Sequence, residues 1–278
     1  MAARRFAQVD VFHSSRCSGN PVAAVIESEG LTTRQMQAFA RWTNLSETTF
    51  LLPPTRPEAD YRLRIFTPAG ELPFAGHPTL GSAHAWLEHG GRPRLEIGLI
   101  QECAAGLIEV RRRDEILAFA APPVTRTGPL EPSTLSAAIA AAGVTARDVV
   151  DHQWGVNGPR WAVLALRSAD AVRAAEPVAT RLRDFDLGLV GPEDSGSPYA
   201  YEVRAIVAPP APAEDPVTGS LNAAIAQWLR REGRVPTSYL AHQGSQVGAA
   251  GEITVTDDGT AIWIGGRTST LIRGKVRI

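Results

Sequence analysis

The sequence predicts an α+β protein built as two related halves, each a curved mixed sheet wrapped around a central helix. Three observations predict it. Short matches recur about half a chain apart, short β-branched runs outnumber helical ones, and a proline-rich stretch, Pro122-Pro123 through Pro132, sits near the midpoint of the 278 residues. The matches keep their order. Pro21-Val22-Ala23-Ala24-Val25 returns as Pro159-Arg160-Trp161-Ala162-Val163, and Tyr61-Arg62-Leu63-Arg64 as Tyr201-Glu202-Val203-Arg204. His77-Pro78-Thr79-Leu80-Gly81-Ser82 returns as Asp215-Pro216-Val217-Thr218-Gly219-Ser220, and Ala105-Gly106-Leu107-Ile108-Glu109-Val110 as Ala250-Gly251-Glu252-Ile253-Thr254-Val255. The offsets are confined to 138–145 residues. A duplication of this kind relates the halves by a pseudo-twofold and places a cleft between them. The boundary falls at the proline-rich linker, giving a first half over 1–122 and a second over 123–268.

The elements follow from local pattern. Alternating or β-branched runs predict strands at 8–12, 21–26, 49–52, 61–66 and 108–112, and again at 161–166, 201–207, 253–256 and 261–264. A Thr32-x-x-Gln35 capping box opens a helix over 33–42, and further helices are expected over 78–88, 134–142 and 216–231, two of them closed by Gly90-Gly91 and Gly233. In Gly76-His77-Pro78 the proline suits a first helical turn, with Leu80, Ala83 and Leu87 as the inward stripe. Asp215-Pro216 repeats the arrangement, with Asp215 as the cap and Leu221, Ile225 and Trp228 inward.

Composition removes several classes of function. With 28 basic against 29 acidic residues the net charge is −1, which offers no electrostatic footprint for nucleic acid or an anionic membrane. All basic residues but Lys275 are arginine, so neither a Schiff-base lysine nor a Gly-Lys-Ser/Thr phosphate loop can be assembled. Cys17 and Cys103 are too few for a disulfide framework or a thiolate zinc site. The stretch from Met1 reaches Asp10 before an apolar core of signal-peptide length develops, and no 18 apolar residues run together. The expectation is an untargeted cytoplasmic protein. His84 and His89 are five apart and fall on different helix faces, a poor metal pair, and Arg111-Arg112-Arg113 before Asp114-Glu115 reads as a solvated hairpin.

The remaining chemistry gathers at two helix starts and one carboxylate. A helix start carries about half a positive charge and binds an anion without a basic side chain, worth roughly 0.3–1 kcal/mol when exposed and up to ~2 when partly buried. Two such starts on one cleft would hold a small carboxylate or stabilise an enolate. Glu47, in Leu45-Ser46-Glu47-Thr48-Thr49-Phe50, lies between a helix end and an apolar strand. Pattern alone leaves the bland alternative open: His77 and Asp215 as simple caps, Glu47 as a solvated loop residue.

An ordered set of motifs goes further. Asp10-Val11-Phe12 with Gly19-Asn20-Pro21, Leu45-Ser46-Glu47-Thr48, Arg64-Ile65-Phe66-Thr67-Pro68 with Glu71-Leu72, Gly76-His77-Pro78-Thr79, Glu214-Asp215-Pro216-Val217-Thr218-Gly219-Ser220, and Gln243-Gly244 with Gly248 span nearly the whole chain. Together they resemble the phenazine-biosynthesis isomerase-like (PhzF-like) family. The resemblance implies a diaminopimelate-epimerase-like fold, an active site in the cleft between the halves, a C-terminal strand (269–278) that crosses back to complete the first half, and a homodimer. It implies an isomerase with no metal and no organic cofactor. Glu47 matches the family's acid/base, which moves a proton between carbons of a small cyclic carboxylate. His77 and Asp215 match the residues that orient that substrate, and Gly76, Gly219 and Ser220 the positions that hold its carboxylate. Epimerases of the related fold use two thiols, and the corresponding places here read as Ala75 and Asp215, which disfavours a two-thiol racemase. A carboxylate-binding protein without activity and a thiol-independent amino-acid epimerase are the alternatives. After Gly248 the chain departs from the family pattern, with Ala249-Ala250 in place of Arg-Pro.

Overall fold

A computed structural model describes residues 3–96, 98–209 and 213–278; Met1-Ala2, where the amino-terminal reading began, lie outside it. The chain divides into two compact units, one formed by residues up to Ala120 together with Gly265–Ile278, the other by Ala121–Ile264. The first contains β1 (Ala3–Val11), β2 (Asn20–Val25), α1 (Thr33–Thr43), β3 (Glu47–Leu52), β4 (Tyr61–Phe66), β5 (Glu71–Leu72), α2 (Gly76–Glu88), β6 (Gly98–Cys103), β7 (Gly106–Arg113) and β8 (Ile116–Ala120). The second contains α3 (Pro132–Ala142), β9 (Val149–Val156), β10 (Arg160–Leu166), α4 (Ala169–Ala174), β11 (Asp186–Pro192), β12 (Tyr201–Ile206), β13 (Glu214–Asp215), α5 (Gly219–Arg231), β14 (Ser238–Gln243) and β15 (Gly251–Asp257). The last strand, β16 (Ile262–Arg277), begins in the second unit and ends in the first.

In the first unit the strands run in the order β1-β2-β3-β4-β6-β7-β8-β16. Antiparallel pairing of β16 with β1, from Val11 opposite Thr268 to Ala3 opposite Arg277, closes the sheet into a barrel. The second unit orders its strands β16-β15-β14-β12-β11-β10-β9. The sense of pairing is the same along both. β1–β2, β3–β4 and β6–β7 are antiparallel with parallel pairs at β2–β3 and β4–β6; β9–β10, β11–β12 and β14–β15 are antiparallel with parallel pairs at β10–β11 and β12–β14. Both sheets are mixed and the helices are few.

α2 packs against β1, β2, β3, β4, β6 and β8, so it is the helix the barrel encloses. Its composition permits this, because Gly76, Gly81, Ser82, Ala83 and Ala85 are small and all are buried. Gly81 marks the closest approach: a Cβ there would lie 2.3 Å from Val22 Cγ1 and 3.0 Å from Val11 Cγ2. α1 lies over a separate cluster in which Met36, Phe39 and Ala40 meet Val25, Phe50 and Phe66. The expected capping box is present, with the Thr32 hydroxyl accepting from Gln35 N at 3.3 Å and Gln35 Oε1 accepting from Thr32 N at 3.0 Å. In the second unit α3 and α4 cover a core of Trp154, Leu164, Leu166, Leu187 and Leu189. None of the described helices is long and apolar enough to cross a membrane.

Two expectations need correction. The stretch after Pro122 is not a free linker, since Trp154 N donates to Gly128 O at 2.8 Å, Val156 N to Arg126 O at 3.1 Å, and Leu130 is buried. The backbone there already runs along β9 as part of the second unit. The helix expected over 216–231 starts at Gly219 instead, because Glu214-Asp215 pair with Ala205-Ile206 as β13.

Candidate active site

Glu47 is the first residue of β3. α1 ends at Asn44, whose left-handed conformation (φ 55°) turns the chain, and β3 then enters the sheet in parallel register with Val22 opposite Glu47. His77 is the second residue of α2. The two side chains meet inside the first unit, with His77 Nε2 3.3 Å from Glu47 Oε2 and side-chain exposures of only 6% and 15%. Burial lowers the His77 pKa to about 3, so the imidazole is neutral through the physiological range. A neutral imidazole has one N–H to give, and Nε2 approaches Glu47 Oε2 without the alignment of a hydrogen bond, so the contact is a close polar approach inside a buried site.

The surroundings fix this pair through α2. Ser82 Oγ donates to Thr49 Oγ1 at 2.9 Å, which in turn donates to Ala23 O at 3.2 Å. Two residues on from His77, Thr79 Oγ1 accepts from Gln101 Nε2 at 3.0 Å, and Gln101 Oε1 accepts from the Tyr61 hydroxyl at 3.0 Å. Burial pushes the Tyr61 phenol well above its usual pKa, so it remains a donor. Thr49, Thr79, Ser82 and Gln101 were missed by the sequence reading. Their only signal is polarity within otherwise apolar runs, which marks a buried polar network as readily as a site.

Both helix starts singled out above lack a side-chain cap. Ala75 precedes α2 and Thr218 precedes α5 with no cap hydrogen bond, whereas Thr32 caps α1 and Ser168 caps α4. Gly76 and Gly219 occupy the first position of α2 and α5, where backbone N–H groups have no acceptor within the helix. Neither His77 nor Asp215 is a cap. The helices therefore align Gly76 with Gly219, His77 with Ser220 and Ala75 with Thr218, a register different from the sequence match of His77 with Asp215.

In the second unit, Asp215 ends β13 and its Oδ2 accepts from Thr218 Oγ1 at 2.6 Å. Ser220 Oγ accepts from Trp161 Nε1 at 3.1 Å and its carbonyl accepts from Asn157 Nδ2 at 2.8 Å. The hairpins leading to both helices carry the same ion pair. Arg64 Nε and Nη2 reach Glu71 Oε1 and Oε2 at 2.6 Å each, and Arg204 Nε and Nη2 reach Glu214 at 2.9 and 2.8 Å. Thus Glu47, His77 and Gly76 come together in the first unit, and Asp215, Gly219 and Ser220 in the second. Among the described residues no group of three or more His, Cys, Asp or Glu is arranged to hold a metal. Cys17 and Cys103 are unpaired thiols, the first exposed.

Comparison with known proteins gives this geometry its class. The chain is 33% identical over 279 residues to trans-2,3-dihydro-3-hydroxyanthranilate isomerase of Pseudomonas fluorescens, covering 96% of this chain and 97% of that one. It is also 33% identical over 294 residues to antisense-enhancing sequence 1 of Schizosaccharomyces pombe, covering 99% of each. A crystal structure of the Bacillus anthracis phenazine biosynthesis protein, PhzF family, covers 100% of both chains with a TM-score of 0.86 at 22% identity, which bears on the fold. The protein is an isomerase. A family model described as phenazine biosynthesis-like protein matches residues 9–274, and the chain belongs to that family, PhzF.

Proposed function

We propose that this isomerase moves a proton between carbons of a small carboxylate without metal or organic cofactor, using Glu47 as the acid/base. The reading takes the chain as an α+β fold of two related halves, in a homodimeric protein. Its main support is the pairing of Glu47 with a buried, neutral His77 at the uncapped start of α2. Carbon-to-carbon proton transfer needs a base that can take and return a proton, fixed donors for the charge that develops, and little water. Glu47 supplies the carboxylate. His77 and Asp215 orient the substrate, while Gly76, Gly219 and Ser220 present backbone N–H groups to its carboxylate. A neutral histidine suits this arrangement, because it can donate one hydrogen bond without holding Glu47 permanently as an ion pair.

The relatives' substrate provides the probe. Incubating the protein with trans-2,3-dihydro-3-hydroxyanthranilate in deuterated water, followed by NMR, is expected to give an isomerised product carrying solvent deuterium on carbon. Binding of this compound without exchange would replace the proposal with a carboxylate-binding protein. Exchange at the α-carbon of an amino acid, with no reaction of the cyclic probe, would favour a thiol-independent epimerase.

A further inference from the structure

We infer that Gln243 is a positioning residue, acting through Thr218 to set the Asp215 carboxylate for the isomerisation proposed above. The inference rests on that reading of Asp215. Gln243 is the last residue of β14 and has no exposed surface. An amide offers two donor hydrogens and two acceptor lone pairs, and here all four are used. Oε1 accepts from Thr218 N at 3.0 Å and from Asn222 Nδ2 at 2.9 Å. Nε2 donates to Asp215 O at 3.0 Å and to Thr218 Oγ1 at 2.9 Å. A backbone N–H must be met by the amide oxygen, so the orientation of the amide is determined.

The consequence lies one bond further on. Because the Thr218 hydroxyl accepts from Gln243, its own hydrogen is left for Asp215 Oδ2, 2.6 Å away. The amide thereby fixes the direction in which a strong donor meets the carboxylate. It also explains why Thr218, at the cap position of α5, makes no cap bond to its own helix. Its hydroxyl is committed to Asp215, and the N–H groups at the helix start keep no acceptor from it.

Gln243 is itself clamped from both sides along its chain. His242 Nδ1 lies 2.7 Å from Glu202 Oε2, and Ser245 Oγ donates to Glu202 Oε1 at 2.7 Å. Gly244 has φ 106°, and a Cβ there would lie 2.6 Å from Pro216 O, so the loop after Gln243 closes tightly on the Asp215-Pro216 segment. The topology does not require this device. In the first unit the last residue of β6, at the corresponding register, is Cys103, and the residue before α2 is Ala75, which makes no side-chain bond. A glutamine also ties strand to helix there, Gln101 Nε2 donating to Thr79 Oγ1 inside α2, but Ala75 has no hydroxyl to hand a hydrogen on to a carboxylate as Thr218 does to Asp215.

The test uses Thr218→Val, Thr218→Ser and Gln243→Leu in the full chain, with circular dichroism to establish folding. The first readout is the pH titration of Asp215 by NMR on protein with carbon-13 aspartate, the signal being assigned from Asp215→Asn. Loss of a hydroxyl donor to a carboxylate raises its pKa, so Thr218→Val and Gln243→Leu are expected to move the titration upward by about one unit, and Thr218→Ser by much less. The second is kcat and KM for trans-2,3-dihydro-3-hydroxyanthranilate, where kcat is expected to fall roughly 10- to 100-fold in the first two variants with KM within about threefold, and to be restored in Thr218→Ser. An unchanged Asp215 titration in folded Thr218→Val overturns the relay, as does a Thr218→Ser variant that falls as far as Thr218→Val. A wild-type protein that does not convert the probe counts against the proposed reaction, while the titration still decides the relay.

Discussion

The duplicated arginine–glutamate pair allows one interaction to be measured in two environments within a single chain. Arg204 and Glu214 have side-chain exposures of 5% and 9%, against 25% and 35% for Arg64 and Glu71. Arg204 also donates from Nη1 to the carbonyls of Val172 at 3.1 Å and Ala175 at 2.7 Å. Replacing it by leucine strands a buried carboxylate and the Ala175 carbonyl, while Val172 O keeps its bond from Ala175 N, and removing one partner of such a pair costs about 3–5 kcal/mol. Arg64→Leu loses a partly solvated pair and a cation–π contact to Phe66 at 5.1 Å, together about 1 kcal/mol. At about 2–4 °C of Tm per kcal/mol for chains approaching this size, the expected losses are roughly 6–20 °C for Arg204→Leu and about 2–4 °C for Arg64→Leu. Thermal unfolding followed by circular dichroism and tryptophan fluorescence measures both. Arg204→Met combined with Glu214→Leu is expected to recover most of the loss, because it removes the orphaned charge. Equal losses for the two single variants would refute the reasoning that burial, rather than the pair itself, sets the magnitude.

Two further outcomes follow from the first unit. The folded state keeps His77 neutral down to about pH 3, whereas the unfolded chain takes up a proton near its ordinary pKa of 6.5. The unfolded state therefore binds more protons between those values. Stability is complete above about pH 6.5 and declines as the pH falls toward 3, by up to about 1.4 kcal/mol per pH unit from this residue. His77→Gln is expected to flatten the dependence of Tm between pH 6.5 and 5, and an unaltered slope would contradict the burial of a neutral imidazole. Gly81→Ala forces a methyl to within 2.3 Å of Val22 Cγ1, and overpacking of this kind costs about 1–3 kcal/mol. Calorimetry showing no loss would mean that α2 does not sit against β1 and β2 as closely as described.

What the sequence disclosed, and what it concealed, follows from the range of the interactions concerned. β4 was legible at both ends, because Tyr61–Phe66 alternates buried and half-buried residues against a solvated face. α1 was legible because its capping box is a contact between residues three apart. β9 and β11 were not, since Val149–Val156 and Asp186–Pro192 interrupt their apolar runs with Asp, His, Gln and Gly. α4 is six residues long, too short for a helical period to appear. The start of α5 was misplaced because Asp215-Pro216 has the local form of a cap and first turn, while the pairing of β13 with β12 is a tertiary fact. Glu47, His77, Asp215 and the two glycines could be picked out because their types and order match a family. The 3.3 Å approach of Glu47 to His77 joins residues thirty apart and required the fold. Gln243 was visible as part of a motif, yet the four bonds that give its amide a task reach back to Asp215, Thr218 and Asn222, which no local pattern connects to it.

The central claim is that Glu47 carries the proton. Its most direct test is the rate at which wild type and Glu47→Gln place solvent deuterium on carbon in trans-2,3-dihydro-3-hydroxyanthranilate, with circular dichroism to show that both are folded. Glutamine keeps the size and the contact with His77 but cannot take a proton, so the account predicts a fall of roughly 10²- to 10⁴-fold. Exchange by Glu47→Gln at the wild-type rate would contradict it.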